Sequence, residues 1–397
     1  MIIAFWLCLA VIAYVYAGYP ILLRLGVFGR RLPVERGSAV PSLSIIVAAH
    51  NEESVIESKL KNLLGADYPR ERVEILIGSD GSSDRTEAIV RPYSPEGVGL
   101  LSFPWQQGKS AMQNGLVAAA SSEILVFTDA DCLFQSDALT CIGENFSDPK
   151  VGLVTARPSY LNESESEITE NESLYLRYET WLRRQESDRG MLAMASGSLF
   201  AIRRSLWRPL DANMGDDFAL PLHVAKMGFR NVLEPQAVAL TCLTQSHPDS
   251  MLRLKIRIIS KDFRALLANA SLLNPLRHGA ISASLWSHKL LRWLVPCFLA
   301  GLFATSLSLM GHPFFRAVFL LQSTFYALAL IGFAWDDHRG VRFPWSVPMS
   351  FCVVNLAALL GMLKCLAGRG SGQWKPDRSR PVAVRGFEAA SSDPPSK

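Results

Sequence analysis

Residues 124–131 read ILVFTDAD, an apolar run that ends in two aspartates one residue apart, Asp129 and Asp131. In a strand, residues i and i+2 project to the same side, so both carboxylates should leave the same edge of a sheet. Open α/β sheets bind ligands at the carboxyl ends of their strands. Such a pair favours Mg²⁺ or Mn²⁺, which proteins hold with one or two carboxylates plus substrate phosphates. On spacing alone, a loop with two solvated acids is an equally good interpretation.

The chain on either side of this run alternates between strand and helix patterns. A continuous apolar run is typical of a parallel strand covered on both faces, and one occurs at 43–48. Further strand patterns follow at 73–78, 98–102 and 151–156. Helical patterns occur at 84–90, at 110–120, at 162–189 and after Asn51, which we expect to cap a helix with an apolar stripe from Ile56. The alternation predicts an α/β fold with a doubly wound, mainly parallel sheet.

Four long apolar segments indicate a membrane protein. Hydrophobic residues make up 49% of the 397 residues and the mean hydropathy is +0.17, which is high for a soluble chain. The segments lie at 2–23, 290–310, 314–335 and 345–366. Arginines 24, 30, 31 and 36 follow the first segment, so the positive-inside rule places the next domain in the cytoplasm. A secretory signal peptide is the alternative for the first segment, but it lacks a basic n-region.

The orientation of the C-terminus is in conflict. Counting spans outward from a cytoplasmic domain places the C-terminus outside, whereas the basic residues at 364–385 favour the inside. We therefore expect one late segment not to span fully. The last is the weakest candidate, because it contains Pro348, Asn355 and Gly361.

These observations predict five regions. They are an N-terminal transmembrane anchor (1–28), a globular α/β domain (41–245), amphipathic or interfacial helices (246–289), a C-terminal transmembrane region (290–367) and a polar, disordered tail (368–397). The net charge of +4 is mild and the basic residues cluster at membrane flanks, so nucleic acid is not an expected partner.

Five motifs in order resemble the family 2 glycosyltransferases with a GT-A fold. They are VAAHNEE at 47–53, SDGSSD at 79–84, GK at 108–109 with NGL at 114–116, DAD at 129–131 and GDD at 215–217. The resemblance covers about residues 41–240. With its membrane segments, the chain looks like the cellulose, hyaluronan and poly-N-acetylglucosamine synthases of bacteria, which implies a multi-pass protein of the bacterial inner membrane with a cytoplasmic catalytic domain.

The resemblance implies a binding site for a nucleotide-sugar donor, with a UDP-sugar as the expected donor. Asp80 would accept hydrogen bonds from the uracil ring, with Glu52 nearby, and Lys109 would offset the diphosphate charge. Asp129 would reach the ribose or the metal, and Asp131 would bind Mg²⁺ or Mn²⁺ directly. Taken in isolation, Asp80 has the alternative of a turn-forming residue before glycine, and Lys109 that of an exposed surface lysine.

The same resemblance implies an acceptor site. Asp217 would act as the general base that deprotonates the acceptor hydroxyl, so that direct attack inverts the anomeric carbon. Gly197 and Asp216 would contact the acceptor, a glycan or a lipid-linked sugar at the bilayer. In isolation, Asp216 and Asp217 are also acids that stabilise a helix N-terminus. His247 is a less favoured candidate for completing the metal site.

Two departures from the family pattern affect the prediction. Ser79 stands where the family usually has an acid, and no Gln-x-x-Arg-Trp string, which processive members carry, follows Asp217. Transfer of one or a few sugars is therefore favoured over processive synthesis with translocation. A non-catalytic membrane subunit that binds nucleotide-sugar, with partners in a polysaccharide-synthesis complex, is a further alternative. A nucleotidyltransferase is less favoured, since no glycine-rich loop follows the first strand.

Overall fold

The computed structural model describes residues 1–38, 40–161, 167–242, 248–334 and 344–368, with side chains described from 172 onward in the helix that starts at 167. The strands are β1 Leu43–Ala49, β2 Val73–Asp80, β3 Val98–Phe103, β4 Ile124–Thr128, β5 Leu133–Phe134, β6 Val151–Tyr160, β7 Leu199–Arg203 and β8 Arg230–Thr241. The helices are α1 Ile2–Ala13, α2 Tyr19–Arg24, α3 Ile56–Leu64, α4 Thr86–Val90, α5 Lys109–Ala119, α6 Ala138–Glu144, α7 Glu167–Ser187, α8 Asp216–Lys226, α9 Pro248–Ala268, α10 Pro275–Ser284, α11 Leu291–Ser308, α12 Pro313–Ala334 and α13 Ser346–Leu366.

The chain folds as two compact units. The sheet unit comprises the described residues of 32–161 and 190–242. The helical unit comprises residues 1–31, α7 and the chain from α9 onward. The tail at 369–397 lies outside the described residues, so the predicted disorder there stays a prediction.

The sheet unit is built on one mixed sheet in the order β3-β2-β1-β4-β7-β6-β8-β5. Strands β3, β2, β1 and β4 are mutually parallel, as the sequence predicts, with Leu43 opposite Val73 on one side and Ile124 on the other. Strand β7 then runs antiparallel to both β4 and β6. The carboxyl ends of β1, β2 and β4 therefore share one edge, where the polar motifs lie.

Both faces of the sheet are covered at β1, which explains the apolar run of that strand. Ile45 and Val47 of β1 belong to the core that packs on α3, whereas Ile46 and Ala48 belong to the core on the opposite face, with Met112 of α5. Successive side chains of a strand point to opposite faces, so a strand buried on both sides needs apolar residues at every position.

The prediction that Asn51 caps the first helix of this unit was wrong. Asn51 has a positive φ of 55°, and its side-chain oxygen accepts a hydrogen bond of 2.8 Å from the Ser83 N–H. The helix begins later, at Ile56, whose N–H bonds the Glu52 carbonyl at 2.9 Å. The side chain of Asn51 therefore joins the loop after β1 to the loop after β2 instead of closing a helix end.

The helical unit contains the apolar segments. Among the described residues, four helical stretches are long and apolar enough to cross a membrane, judged by length and composition: Ile2–Arg24, Pro275–Ser308, Pro313–Ala334 and Ser346–Leu366. The last stretch meets the same criterion as the others. Its Gly361 lies where α13 approaches α9 closely, since a Cβ there would come within 3.0 Å of the Ile259 side chain. The glycine thus serves helix packing.

A buried ionic network also belongs to the helical unit. Glu179 of α7 lies 3.0 Å from the Arg292 guanidinium and 2.9 Å from His288 Nε2. Glu186, about two turns further along α7, lies 2.9 Å from His288 Nδ1 and accepts a hydrogen bond of 2.7 Å from the Tyr19 hydroxyl. Burial raises the pKa of Glu179, but His288 and Arg292 outweigh it and hold the pKa well below its usual range. The carboxylate is therefore charged and neutralised by its neighbours.

Candidate active site

The Asp129–Asp131 turn lies directly after β4 at the carboxyl edge of the sheet. Thr128, the last residue of the strand, is buried, whereas the Asp129 side chain is about one-third exposed, at 35%. The Cys132 N–H closes the turn by bonding the Asp129 carbonyl at 3.2 Å. The parallel strand β1 ends beside it and β2 follows β1 in the sheet, and this edge is the usual position of a ligand site in an α/β sheet.

Lys109 bridges two of the predicted acids. It is the first residue of α5, and its Nζ lies 2.8 Å from Asp129 Oδ1 and 3.2 Å from Asp216 Oδ2. Burial lowers the pKa of Lys109, but Asp129 and Asp216 outweigh it and hold the pKa above its ordinary value. Lys109 is therefore a permanent cation at this edge, and not a solvated surface lysine.

The two carboxylates paired with Lys109 differ in their protonation chemistry. Burial raises the pKa of Asp129, and the nearby Asp131 charge adds to that effect against Lys109, so the net shift is upward. The pKa of Asp216 is lowered, because Lys109 and a 2.7 Å hydrogen bond from Gln113 Nε2 outweigh its burial. Asp216 is thus held as the anion, whereas the carboxyl group of Asp129 is protonated more readily than an ordinary aspartate.

Asp217 faces the same space as Asp129. A Cβ built on Gly197 would lie 3.6 Å from Asp217 Oδ2 and 3.9 Å from Asp129 Oδ2, so the two carboxylates border one position that glycine leaves open. The Ala195 N–H holds the start of α8 in place by bonding the Asp217 carbonyl at 2.7 Å. The structure therefore brings together Asp129, Asp217, Lys109, Asp216 and Gly197.

Asp80, the last residue of β2, binds the loop that precedes Lys109. Its carboxylate is fully buried, and its two oxygens accept hydrogen bonds from the N–H groups of Gln107 at 2.7 Å and Gly108 at 2.8 Å. Gly81 has a φ of 64°, and a Cβ there would come within 2.7 Å of the Trp105 backbone. Asp80 thus shapes the loop that presents Lys109, and contact with a nucleotide base stays a prediction.

Glu52, in the loop after β1, is also buried. Its N–H donates a hydrogen bond of 2.8 Å to Thr86 Oγ1, and its carbonyl accepts the first bond of α3. These contacts place Glu52 beside the loop after β2. Its predicted contact with the donor is not tested by them.

The oxygen donors fit a divalent cation in part. Asp129 and Asp131 are hard carboxylate ligands one residue apart, and Lys109 occupies only the Oδ1 atom of Asp129. Within the described residues, no group of three His, Cys, Asp or Glu side chains has the spacing of a complete metal site. Mg²⁺ commonly uses one or two carboxylates and completes its shell with phosphates and water. His247 lies outside the described residues.

Sequence reasoning missed two buried residues beside these acids. Gln113 donates to Asp216 one turn after Lys109 on α5. Lys59 of α3 is fully buried and reaches both ends of the Asp129–Asp131 turn. A signal for Lys59 was present: it falls on the helix face defined by Ile56, Leu60 and Leu63, where an unpaired lysine is rare.

Comparison with known proteins identifies the domain. The family model described as Glycosyl transferase family 2 matches residues 44–209, which span β1 to the loop after β7. Residues 44–209 therefore have the sequence pattern of a family 2 glycosyltransferase domain. All the acids named above except Asp216 and Asp217 lie inside the matched range.

The relatives of this glycosyltransferase domain differ in what their names say they make. The beta-monoglucosyldiacylglycerol synthase of Trichormus variabilis is 31% identical over 179 residues, which are 44% of this chain and 38% of the relative. The N-acetylglucosaminyltransferase of Rhizobium meliloti is 26% identical over 257 residues, 58% of each chain. The poly-beta-1,6-N-acetyl-D-glucosamine synthase of Staphylococcus epidermidis is 31% identical over 140 residues, 34% of each chain. The matched parts span less than two-thirds of these relatives.

The similarity to one solved structure extends over most of the chain. The mannosyltransferase PcManGT of Pyrobaculum calidifontis, solved with GDP-Man and Mn²⁺, aligns with 91% of this chain and 99% of its own, with a TM-score of 0.68 and 22% sequence identity. At that identity the similarity is one of fold. It confirms the GT-A architecture predicted from the motifs, with a mainly parallel sheet and apolar helices at both ends of the chain.

Proposed function

We propose that this protein is an inverting, divalent-metal-dependent glycosyltransferase that moves one sugar from a nucleotide-sugar to an acceptor held at the membrane. The observation that carries the proposal is the convergence of Asp217, Asp129 and Lys109 around the position that Gly197 leaves open. Glycosyl transfer needs a base, a carboxylate that can bind a metal ion and a cation, and Asp217, Asp129 and Lys109 would supply these groups at one edge of the sheet.

Asp217 is the base in this proposal. Its carboxylate takes the proton of the acceptor hydroxyl as that oxygen attacks the anomeric carbon. The bond between the anomeric carbon and the diphosphate oxygen breaks, its electron pair leaves with the nucleoside diphosphate, and the configuration inverts. Gly197 leaves room for the acceptor oxygen beside Asp217, since any side chain at 197 would fill the position between the two carboxylates.

Lys109 and the Asp129–Asp131 turn serve the donor. Lys109 is a cation under all ordinary conditions, and its charge offsets that of the diphosphate before and after the bond breaks. Asp129 and Asp131 would hold Mg²⁺ or Mn²⁺, which as a Lewis acid stabilises charge on the leaving diphosphate. Asp80 and Glu52 would contact the base of the nucleotide, with Asp80 also holding the loop before Lys109.

The acceptor is proposed to be membrane-held. Four apolar helical stretches in the described chain support a membrane location, and relatives are named for a glycolipid and for a polysaccharide product. The absence of Gln-x-x-Arg-Trp after Asp217 favours transfer of single sugars over processive synthesis. The arginines that follow the first stretch favour a cytoplasmic catalytic domain at the inner membrane.

A donor and product-size screen tests the proposal. Purified full-length protein in nanodiscs made from bacterial lipids is incubated with radiolabelled UDP-sugars and GDP-mannose, and products are separated by size. One labelled lipid species from one donor is the expected result, with release of the matching nucleoside diphosphate. A ladder of products would support processive synthesis instead, and nucleotide binding without transfer from any donor would favour a non-catalytic subunit.

A chelation test addresses the metal. EDTA should abolish transfer, and added Mn²⁺ or Mg²⁺ should restore it. The Asp131→Asn variant should need a higher metal concentration for half-maximal activity. Undiminished transfer in excess chelator would remove the metal role proposed for Asp131.

A further inference from the structure

A buried lysine lies beneath the Asp129–Asp131 turn. Lys59 of α3 has no exposed surface, and its Nζ donates hydrogen bonds to Thr128 Oγ1 at 2.8 Å and to the Cys132 carbonyl at 2.6 Å. The third side of the ammonium faces the Phe134 ring, 4.8 Å from its centroid. In the part of the chain that the structure describes, no carboxylate lies at ion-pair distance from this nitrogen.

The two hydrogen bonds reach both ends of the turn. Thr128 immediately precedes Asp129, and Cys132 immediately follows Asp131. The Cys132 N–H also donates a hydrogen bond of 3.2 Å to the Asp129 carbonyl, which closes the turn. The turn therefore has one internal hydrogen bond, and Lys59 bonds the residues at its two ends. A single side chain on α3 thus contacts the chain immediately before and immediately after the two acids.

The hydrogen bonding continues from Lys59 to the loop that borders the acceptor position. Thr128 Oγ1 accepts from Lys59 and donates to the Ser198 carbonyl at 2.8 Å. Ser198 follows Gly197, whose open position lies between the carboxylates of Asp217 and Asp129. The Thr128 hydroxyl thus connects Lys59 of α3 both to the Asp129–Asp131 turn and to the loop that contains Gly197 and Ser198.

The environment of Lys59 is one that usually holds an apolar side chain. Lys59 shares a helix face with Ile56 and Leu60, both fully buried, and burying an ammonium without a counter-ion is costly. That cost shows in its pKa, which burial lowers to about 8, against the attraction of Cys132, Asp129 and Asp131. A leucine or methionine would fill the space without that cost but could not bond Thr128 and Cys132.

We propose that Lys59 is a positioning residue, which holds the backbone of the Asp129–Asp131 turn so that both carboxylates face one divalent cation. The proposal rests on the proposed function for the identity of the turn as a metal site. Lys59 acts through Thr128 and the Cys132 carbonyl and does not itself touch metal or donor.

The test is Mn²⁺ binding to the Lys59→Met variant of the full-length protein in detergent. Binding is followed by the electron paramagnetic resonance signal of free Mn²⁺, with UDP or GDP present. We expect the dissociation constant for Mn²⁺ to rise at least tenfold. Lys61→Met is the matched control, because Lys61 lies on the same helix with its side chain 67% exposed, and it should bind Mn²⁺ as the wild type does.

A second pair of variants guards against misfolding of Lys59→Met. Thr128→Val removes the hydroxyl that Lys59 bonds and should weaken Mn²⁺ binding in the same direction, whereas Thr128→Ser keeps the hydroxyl and should restore it. In the double variant of Lys59→Met and Thr128→Val, the loss of Mn²⁺ affinity should be smaller than the product of the two single losses. The reason is that each single variant already removes the hydrogen bond between Lys59 and Thr128.

Wild-type Mn²⁺ affinity in a folded Lys59→Met or Thr128→Val protein would overturn the proposal, and so would a wild type that binds no Mn²⁺ with either nucleotide. The outcome is separable from that of the proposed function. Weakened Mn²⁺ binding in the variants, with no sugar transfer from any donor, would retain the positioning role and refute the transferase.

Discussion

Buried charges are arranged in opposite ways in the two units of this molecule. In the helical unit, Glu179 and Glu186 lie within 3.3 Å of the basic side chains of Arg183, Arg292 and His288, so each carboxylate has a basic partner. In the sheet unit, Lys109 is shared by Asp129 and Asp216, and Lys59 has neutral oxygen partners. A self-neutralised cluster mainly stabilises structure, whereas charges left incompletely matched at an open edge favour the binding of a charged ligand.

The largest expected effect is on the sheet unit, from Asp217→Asn. Because the amide cannot accept the acceptor proton, transfer should fall about a thousandfold, while nucleotide binding stays within a factor of about two. Turnover and nucleotide affinity are measured separately, with Asp211→Asn, an exposed aspartate before the same helix, as the control. Transfer within tenfold of the wild type would show that another group is the base.

The matching change in the helical unit is Glu179→Gln. It removes the charge that faces Arg292 and His288, and leaving buried cations unpaired should cost about 3 kcal/mol of stability. A lower melting temperature in detergent is the expected readout, with turnover per folded molecule changed less than threefold. If the melting temperature is unchanged, the network is not a stabilising one and the contrast between the units fails.

Lys109→Met should have a smaller effect on transfer than Asp217→Asn. It leaves Asp129 and Asp216 without their shared cation and removes a charge that the diphosphate would face. Loss of charged hydrogen bonds of this kind should reduce kcat/KM about ten- to a hundredfold, mainly through the donor. Lys109→Arg, which keeps the charge, should recover part of the loss; equal losses for both variants would indicate that shape and not charge matters there.

The smallest expected effect is a pH dependence of stability due to Lys59. Its folded-state pKa of about 8 lies below the ordinary 10.5, so the unfolded chain binds the proton more tightly and stability rises with pH between these values. Between about pH 7.5 and about pH 8.5 the free energy of unfolding of the wild type should rise by less than about 1 kcal/mol relative to that of Lys59→Met. This corresponds to a rise of about 2 °C in melting temperature. Parallel melting curves for the two proteins would contradict this assignment.

Local sequence patterns were sufficient to predict most of the strands and the four long apolar helices. Apolar runs predicted β1, β2, β3, β4 and β6, because a strand buried on both faces leaves a continuous signature in sequence. Long apolar segments predicted the four membrane-type helices, and the acids of the motifs were expected at the carboxyl edge because parallel strands end together there. These features depend on residues close in sequence.

Other features could not be predicted from local patterns. The Asn51 prediction failed because its partner, Ser83, is on another loop. The antiparallel β7 within the sheet and the membership of α7 in the helical unit both depend on packing between distant segments.

The sequence alone therefore determined which acids and lysines are candidates for the chemistry and which segments are apolar, because residue type and periodicity are written along the chain. Only the tertiary structure decided how those residues act on one another. Lys59 and Thr128 are 69 residues apart in sequence, and Lys109 and Asp216 meet from different helices. Whether a charge is paired, shared or left with neutral partners is set by burial and by neighbours brought together on folding.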